Sequence, residues 1–245
     1  MSKQFGLIGF KLTHSFSKKY FSEKFQREGL HDHVYELFEL DDPKEIIGLI
    51  GDNPNLKGLN VTIPYKETII PYLDHIEDSA AKVGAVNVIK IKDNKLIGYN
   101  SDYYGFKKSL TSWIKQPIDS ALILGSGGAS KAVIAALKAL NIDFKLVSRV
   151  GSEGKISYAE LKESTILTDT TLVVNTTPLG MYPAIEDAPD LPYVQFSKNH
   201  FVFDLVYNPE ETLLLKRAKS HGARIKNGLE MLELQAEKSW DIWNS

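Results

Sequence analysis

Nine short apolar runs, at residues 5–9, 34–40, 58–63, 86–91, 95–99, 121–124, 144–147, 172–175 and 201–205, are separated for the most part by helix-like segments. This alternation constrains the fold more than any other feature, because strands whose successors lie a helix away pair mostly in parallel. The segment 17–28 brings Tyr20, Phe21 and Phe25 to one side and meets a stop signal at Gly29, with Ser17 placed as its N-cap. The segment 130–140 lines up Val133, Ala136, Leu137 and Leu140. Only Lys92-Asp93-Asn94 separates the runs 86–91 and 95–99, a hairpin-length link. An antiparallel pair is therefore expected to interrupt the first sheet. The stretch 113–120 (W-I-K-Q-P-I-D-S) reads as a linker into a new βαβ unit.

A chain of 245 residues has room for one large domain or two small ones. With 29 basic and 31 acidic side chains the net charge is −2, so no basic excess draws it to nucleic acid. The absence of cysteine excludes disulfides, cysteine-based zinc sites and thiol nucleophiles, and is consistent with a reducing compartment. No apolar run approaches the ~20 residues of a spanning helix, and the N-terminal run is too short for a signal-peptide core. The expectation is a cytoplasmic protein with neither membrane nor nucleic acid as partner.

Leu122-Ile123-Leu124 runs into Gly125-Ser126-Gly127-Gly128-Ala129-Ser130, after which a helix begins. Strand, glycine turn and helix is the order a dinucleotide site needs: glycines let the backbone approach a pyrophosphate, and the helix start supplies free N–H groups. Ser130 stands where the third glycine of the pattern would be. The next strand ends in Ser148-Arg149, roughly 20 residues past the loop, where a cofactor with a free 2′-hydroxyl meets an acid. A guanidinium there suits a 2′-phosphate instead, which points to NADP. A tight turn with no ligand, and a solvated arginine, are the plain alternatives.

The stretch G-L-N-V-T-I-P-Y-K at 58–66 crowds Asn60, Thr62 and Lys66 around a strand end. It is either an ordinary strand edge or one wall of a polar pocket. Ser15 and Ser17 stand at a helix start, where hydroxyls form a mild anion site, and His14 beside them is more often structural than catalytic. Asn87 and Asp102 fall at the ends of the hairpin strands. If Lys66 meets Asp102, the pair fits ketone reduction. An ammonium supplies the proton and steadies the alkoxide, and a carboxylate favours the charged amine and fixes its direction. A surface salt bridge is the alternative.

With these residues in hand, the chain resembles the shikimate dehydrogenase family over nearly its whole length. The resemblance rests on H-S-F-S at 14–17, G-L-N-V-T-I-P-Y-K at 58–66, G-A-V-N at 84–87 and N-S-D at 100–102. It continues through G-S-G-G-A-S at 125–130, V-N-T-T-P-L-G-M at 174–181, D-L-V-Y-N-P at 204–209 and N-G-L-E-M-L-E-L-Q-A at 227–236. It implies an α/β protein of two domains with a cleft between them. An N-terminal mixed-sheet substrate domain at 1–102 would be completed by a C-terminal helix at 229–245. A Rossmann-like NADP-binding domain would occupy 103–228. Leu229, Leu232, Ala236 and Trp240 fall at helical steps along that last helix.

The roles implied are Ser15 and Ser17, with Tyr207 nearby, for a substrate carboxylate, and Asn60, Thr62, Asn87, Asp102 and Gln235 for ring hydroxyls. Lys66 would be the acid/base, paired with Asp102. Gly125, Ser126, Gly127, Gly128, Ala129, Ser130, Ser148 and Arg149 would hold NADP, with Leu205 and Gly228 beside the nicotinamide. No metal is implied, and the partner is a small molecule, shikimate or 3-dehydroshikimate, bound by a monomer or homodimer.

Several positions depart from the family pattern. Lys18 stands in place of a proline, S-R-V replaces N-R-T at 148–150, Lys131 replaces an arginine, and 151–155 is too short for the usual crossover helix. Val150 has no hydroxyl for a 2′-phosphate, so Arg149, helped by Lys155, must supply the discrimination. The rival readings are a quinate/shikimate dehydrogenase using NAD, and a non-catalytic dinucleotide-binding regulator of the same fold.

Overall fold

A computed structural model describes residues 2–12 and 15–245, so His14 lies outside the described residues. All nine apolar runs form strands. In chain order the elements begin β1 (Lys3–Gly9), α1 (Phe16–Arg27), β2 (His33–Glu39), α2 (Ile46–Asp52), β3 (Leu56–Val61), α3 (Tyr65–Thr68) and β4 (His75–Ile76). They continue with α4 (Asp78–Val83), β5 (Val88–Lys92), β6 (Lys95–Tyr99), α5 (Ser101–Trp113), β7 (Ser120–Leu124), α6 (Gly128–Ala139) and β8 (Asp143–Ser148). The chain then forms β9 (Lys155–Ser157), α7 (Tyr158–Lys162), β10 (Leu172–Asn175), β11 (Phe201–Asp204), α8 (Leu213–Ser220), β12 (Arg224–Lys226) and α9 (Leu229–Asn244). The strands not anticipated, β4, β9 and β12, are two or three residues long, too short for an alternating pattern to register.

The contacts divide the chain into two units, Met1–Tyr104 with Gln235–Ser245, and Gly105–Leu234. In the first unit the sheet runs β2-β1-β3-β5-β6-β4. Its β3–β5 and β5–β6 pairs are antiparallel and the rest parallel, so the expected hairpin does interrupt it. Alternation along β1 sends Ile8 to one core with Leu59, Val61, Ile69 and Ile89. Phe5 and Leu7 go to another core with Phe21, Phe25, Tyr35 and Trp243.

The second unit holds a sheet ordered β12-β11-β10-β7-β8-β9, parallel throughout. Counted from its own first strand this is 3-2-1-4-5-6, the doubly wound dinucleotide order, with its reversal point between β7 and β10. The central strands β7, β10 and β11 are buried on both faces, which is why they read as nearly unbroken apolar runs. Leu122, Val173 and Val202 enter one core, while Phe201 and Phe203 meet Trp113 and Phe106 of α5. The connection 149–154 between β8 and β9 contains no helix and is closed by paired backbone bonds between Ser152 and Lys155.

Several sequence expectations need correction. Helix α1 begins one residue earlier than its spacing suggested, and its N-cap is Ser15, not Ser17. Ser15 has the extended backbone a cap requires (φ −121°, ψ 114°), and its hydroxyl accepts from the Lys18 N–H at 3.2 Å. Ser17 lies inside the first turn. The buried line of α9 passes through Ala236, Ser239 and Trp243, whereas Leu229 is exposed and Leu232 and Trp240 only half-buried. Asn87 precedes β5, and Asp102 belongs to the first turn of α5, where a carboxylate suits the helix dipole.

Candidate active site

The polar residues of the first unit are set by apolar neighbours that fix the backbone. Tyr65 and Ile69 bury the inner side of the α3 turn, and the Tyr65 hydroxyl donates to the Leu40 carbonyl at 2.5 Å. The Lys66 carbonyl accepts from the Val86 N–H at 2.7 Å. Asn100 caps α5 by accepting from the Tyr103 N–H at 3.0 Å, and this fixes the turn that carries Asp102. From these two anchored turns, 36 residues apart in sequence, Lys66 Nζ reaches Asp102 Oδ2 at 2.6 Å. The lysine side chain is 23% exposed and the carboxylate 12%, so the pair is partly shielded yet open to a ligand.

Around this pair lie neutral hydrogen-bonding groups. Asn87 accepts from the Ser101 N–H at 2.7 Å and donates to Ser101 Oγ at 3.0 Å and to Gln235 Oε1 at 3.4 Å. Asn60 accepts from the Tyr35 hydroxyl at 2.8 Å and donates to Ser239 Oγ at 2.9 Å. Ser15, Ser17 and Thr62 line a cavity of about 560 Å³ together with Lys11 and the apolar Leu7, Phe10, Leu12, Phe16, Ile63 and Pro64. Tyr35 and Ser239 escaped the sequence reading. Tyr35 reads as one more aromatic in a strand. Ser239 left a trace, a polar residue four positions after Gln235 on a face otherwise apolar.

In the second unit the glycine loop sits at the reversal point of the sheet. Gly125 has φ +98°, and a Cβ there would lie 2.8 Å from Thr177 Cγ2, so glycine is required twice over. Gly127 and Gly128 differ: a Cβ on either meets nothing of the protein within 4 Å. Internal packing therefore does not call for glycine at these two positions, and the open space suits a pyrophosphate lying against the backbone. Gly127 is the N-cap of α6 and brings no side-chain cap, leaving the helix-start N–H groups for a ligand. The loop thus fits a dinucleotide. Two predicted hydroxyls are engaged by the loop backbone: Ser130 donates to the Gly127 carbonyl and Ser148 to the Val150 carbonyl, each at 2.6 Å. Ser126, Ala129 and Arg149 are exposed. Gly228 is pressed against Leu205, whose carbonyl oxygen would lie 2.1 Å from a Cβ at 228. Tyr207 is 37% exposed, and burial raises its hydroxyl pKa.

Asp204, at the end of β11, is fully buried. It accepts from Asn175 Nδ2 at 2.9 Å, from the Val206 N–H at 3.0 Å and from Thr212 Oγ1 at 2.6 Å, tying three loops together. Burial pushes its carboxyl up to about 6, against the pull of those three donors. A folded pKa above the unfolded one means the group's stabilising contribution is complete below about pH 4 and is lost as pH rises through about 6. Thermal melts of Asp204→Asn against the parent should show the variant gaining on the parent across that window. The gain is at most about 3 kcal/mol. A constant difference at all pH values would remove Asp204 as the source.

Among the described residues there is no helix long and apolar enough to cross a membrane, and no cluster of three or more metal-ligating side chains. The model of the shikimate dehydrogenase substrate binding domain matches residues 7–89. The NADP(+) shikimate dehydrogenase of Clostridium beijerinckii is 42% identical to the chain, over 98% of this chain and 91% of its own length. A crystal structure of a shikimate dehydrogenase in complex with NADP+ superposes with a TM-score of 0.87 at 35% identity, covering 99% of this chain and 90% of that one. The Thermus thermophilus enzyme in complex with NADP(H) and shikimate gives a TM-score of 0.85 at 27% identity, covering 98% and 93%. With identity of this order sustained along nearly the whole length of both chains, the protein belongs to the shikimate dehydrogenase family.

Proposed function

We propose that this protein catalyses the reversible NADPH-dependent reduction of 3-dehydroshikimate to shikimate, a step toward chorismate and the aromatic amino acids. It would act in the cytoplasm as a monomer or homodimer. The observation that carries the chemistry is the 2.6 Å contact between Lys66 Nζ and Asp102 Oδ2 amid neutral hydrogen-bonding groups. A polyhydroxylated acid needs many such groups and few charges.

Lys66 Nζ holds the proton that the ketone oxygen gains on reduction and takes it back on oxidation. Asp102 keeps the amine aimed, so that alkoxide charge develops against an ammonium already in place. Ser15 and Ser17 receive the carboxylate end, with Tyr207 assigned there by the family pattern, and Thr62, on the wall of the same cavity, is left to the ring hydroxyls. Asn60, Asn87 and Gln235 face the ring hydroxyls. The backbone from Gly125 to Ala129, shaped by Ser130, would hold the pyrophosphate of NADP, and Ser148, which holds its own turn, would offer Arg149 to the 2′-phosphate. Leu205 and Gly228 would lie beside the nicotinamide. NADP, when bound, supplies the hydride acceptor of the oxidation and, reduced, the donor of the reverse reaction.

The test is NADP reduction by shikimate and by quinate, side by side, each repeated with NAD. Turnover of shikimate with NADP well above the other three combinations is expected. Comparable turnover of quinate with NAD would favour the broader dehydrogenase. NADPH binding with no turnover of shikimate would favour the regulator.

A further inference from the structure

Ser239 is fully buried on α9, one helical turn past Gln235. Its neighbours fasten that part of the helix to the first unit. The Trp243 indole N–H donates to the Ile89 carbonyl at 3.1 Å, and Glu237 accepts from the buried Lys24 ammonium at 2.8 Å. The Trp243 ring also lies on Gly58, where a Cβ would clash with it. Gly58 and Asn60 share β3, so the packing that seats the helix also brings Ser239 to Asn60.

The direction of each proton follows from what the partners can do. The Ser239 hydroxyl donates to the Gln235 carbonyl at 2.8 Å, an oxygen that only accepts, so Ser239 Oγ receives its bond from Asn60 Nδ2 at 2.9 Å. The other Asn60 amide hydrogen points at the Asn87 carbonyl, 3.4 Å away, and Asn60 Oδ1 accepts from the Tyr35 hydroxyl at 2.8 Å. Both amide hydrogens are thus engaged within the protein, and Asn60 has only an oxygen lone pair left to offer. Asn87 is set by the same logic. The Ser101 N–H can only donate, so Asn87 Oδ1 faces it, and Nδ2 is directed to Ser101 Oγ and Gln235 Oε1.

We propose that Ser239 is a positioning residue that locks the Asn60 amide by accepting from its nitrogen, so that Asn60 accepts a hydrogen bond from a substrate hydroxyl and cannot donate one. The proposal rests on the substrate role assigned to Asn60 above. A hydroxyl at Asn60 gives its proton to Oδ1, whereas a carbonyl in the same place finds no donor. This polarity is opposite to that of Lys66, whose ammonium donates to the ketone oxygen. The ring is therefore held with its reacting oxygen at Lys66 and an unreactive hydroxyl at Asn60, and the reversed placing sets a ketone against the Asn60 oxygen.

Steady-state kinetics of Ser239→Ala test this. Loss of the acceptor should raise the KM for shikimate by about 3- to 10-fold, with a smaller change in kcat and none in the KM for NADP. A raised KM at near-constant kcat marks lost substrate binding, whereas a smaller folded fraction lowers kcat alone. In an Asn60→Ala background Ser239→Ala should add nothing to the KM, because the amide it holds is gone. Shikimate analogues that each lack one unreactive ring hydroxyl, used as competitive inhibitors, give a second readout with Asn60 intact. The analogue missing the hydroxyl received by Asn60 should bind the parent and Ser239→Ala equally, while the others weaken as shikimate does. An unchanged shikimate KM, single losses that multiply in the double variant, or equal weakening of every analogue overturns the proposal. A parent protein that turns over no shikimate overturns the functional reading itself, and the proposal with it.

Discussion

Lys66→Ala is expected to lower shikimate turnover by about 10²–10⁴-fold, the usual share of a positioned acid/base group. The size follows from what is left behind. The Asp102 carboxylate loses its 2.6 Å partner, so the site holds a bare negative charge where alkoxide charge must develop. Two effects therefore act together, loss of the proton carrier and loss of the favourable field. The KM for shikimate should change little, because Ser15, Ser17, Asn60 and Asn87, the groups proposed above to bind it, lie outside the substituted turn. The fold should persist as well: Tyr65 and Ile69 hold the α3 turn, while the Lys66 side chain is 23% exposed. Turnover within tenfold of the parent would make the lysine–aspartate contact an ordinary ion pair.

The two sheets were legible because short apolar runs alternate with helix-like segments along the chain. Ser120–Leu124 and Leu172–Asn175 read as unbroken apolar runs and lie in the interior of a parallel sheet. The hairpin of β5 and β6 was legible from its three-residue link. Helix starts were less so: Ser15 and Ser17 are both good cap residues, and backbone conformation, which composition does not carry, decided between them. The helix α9 was legible, and of its spaced apolar residues Ala236 is buried; Leu229 and Trp240 were weighed by type, and Ser239 and Trp243, which packing buries, were missed.

At the site, residues with unusual chemistry for their setting announced themselves: a lysine past a strand end, an arginine where an acid is usual, a glycine cluster before a helix. Groups that act by holding others did not. Tyr35 and Asp204 are distinguished by the partners of their oxygens, and partners far apart in sequence are visible only once the chain is folded. Ser130 and Ser148 show the converse. Both stand in the cofactor motif, yet their hydroxyls bond the loop's own backbone.

Gly127→Val should raise the KM for NADP roughly 100-fold, a loss of about 2.8 kcal/mol of cofactor binding, while leaving the protein folded. Gly127 has φ −83° and ψ −172°, extended backbone that any residue adopts, so no strain is introduced. A Cβ there meets no protein atom within 4 Å, so no clash arises within the chain either. The one internal penalty is at the N-cap, where valine is a poorer choice than glycine by about 1 kcal/mol. For a chain of this size that shifts the melting temperature by about 2–4 °C. The branched side chain fills the open space beside the helix start, which the proposed function gives to the pyrophosphate, so the damage is expected to fall on the cofactor. Shikimate binding, assigned above mainly to residues of the first unit and to none of the glycine loop, should be unaltered in calorimetry. An unchanged NADP KM would move the pyrophosphate away from this loop, and a melting temperature lowered by tens of degrees would show that the space beside Gly127 is needed by the protein itself.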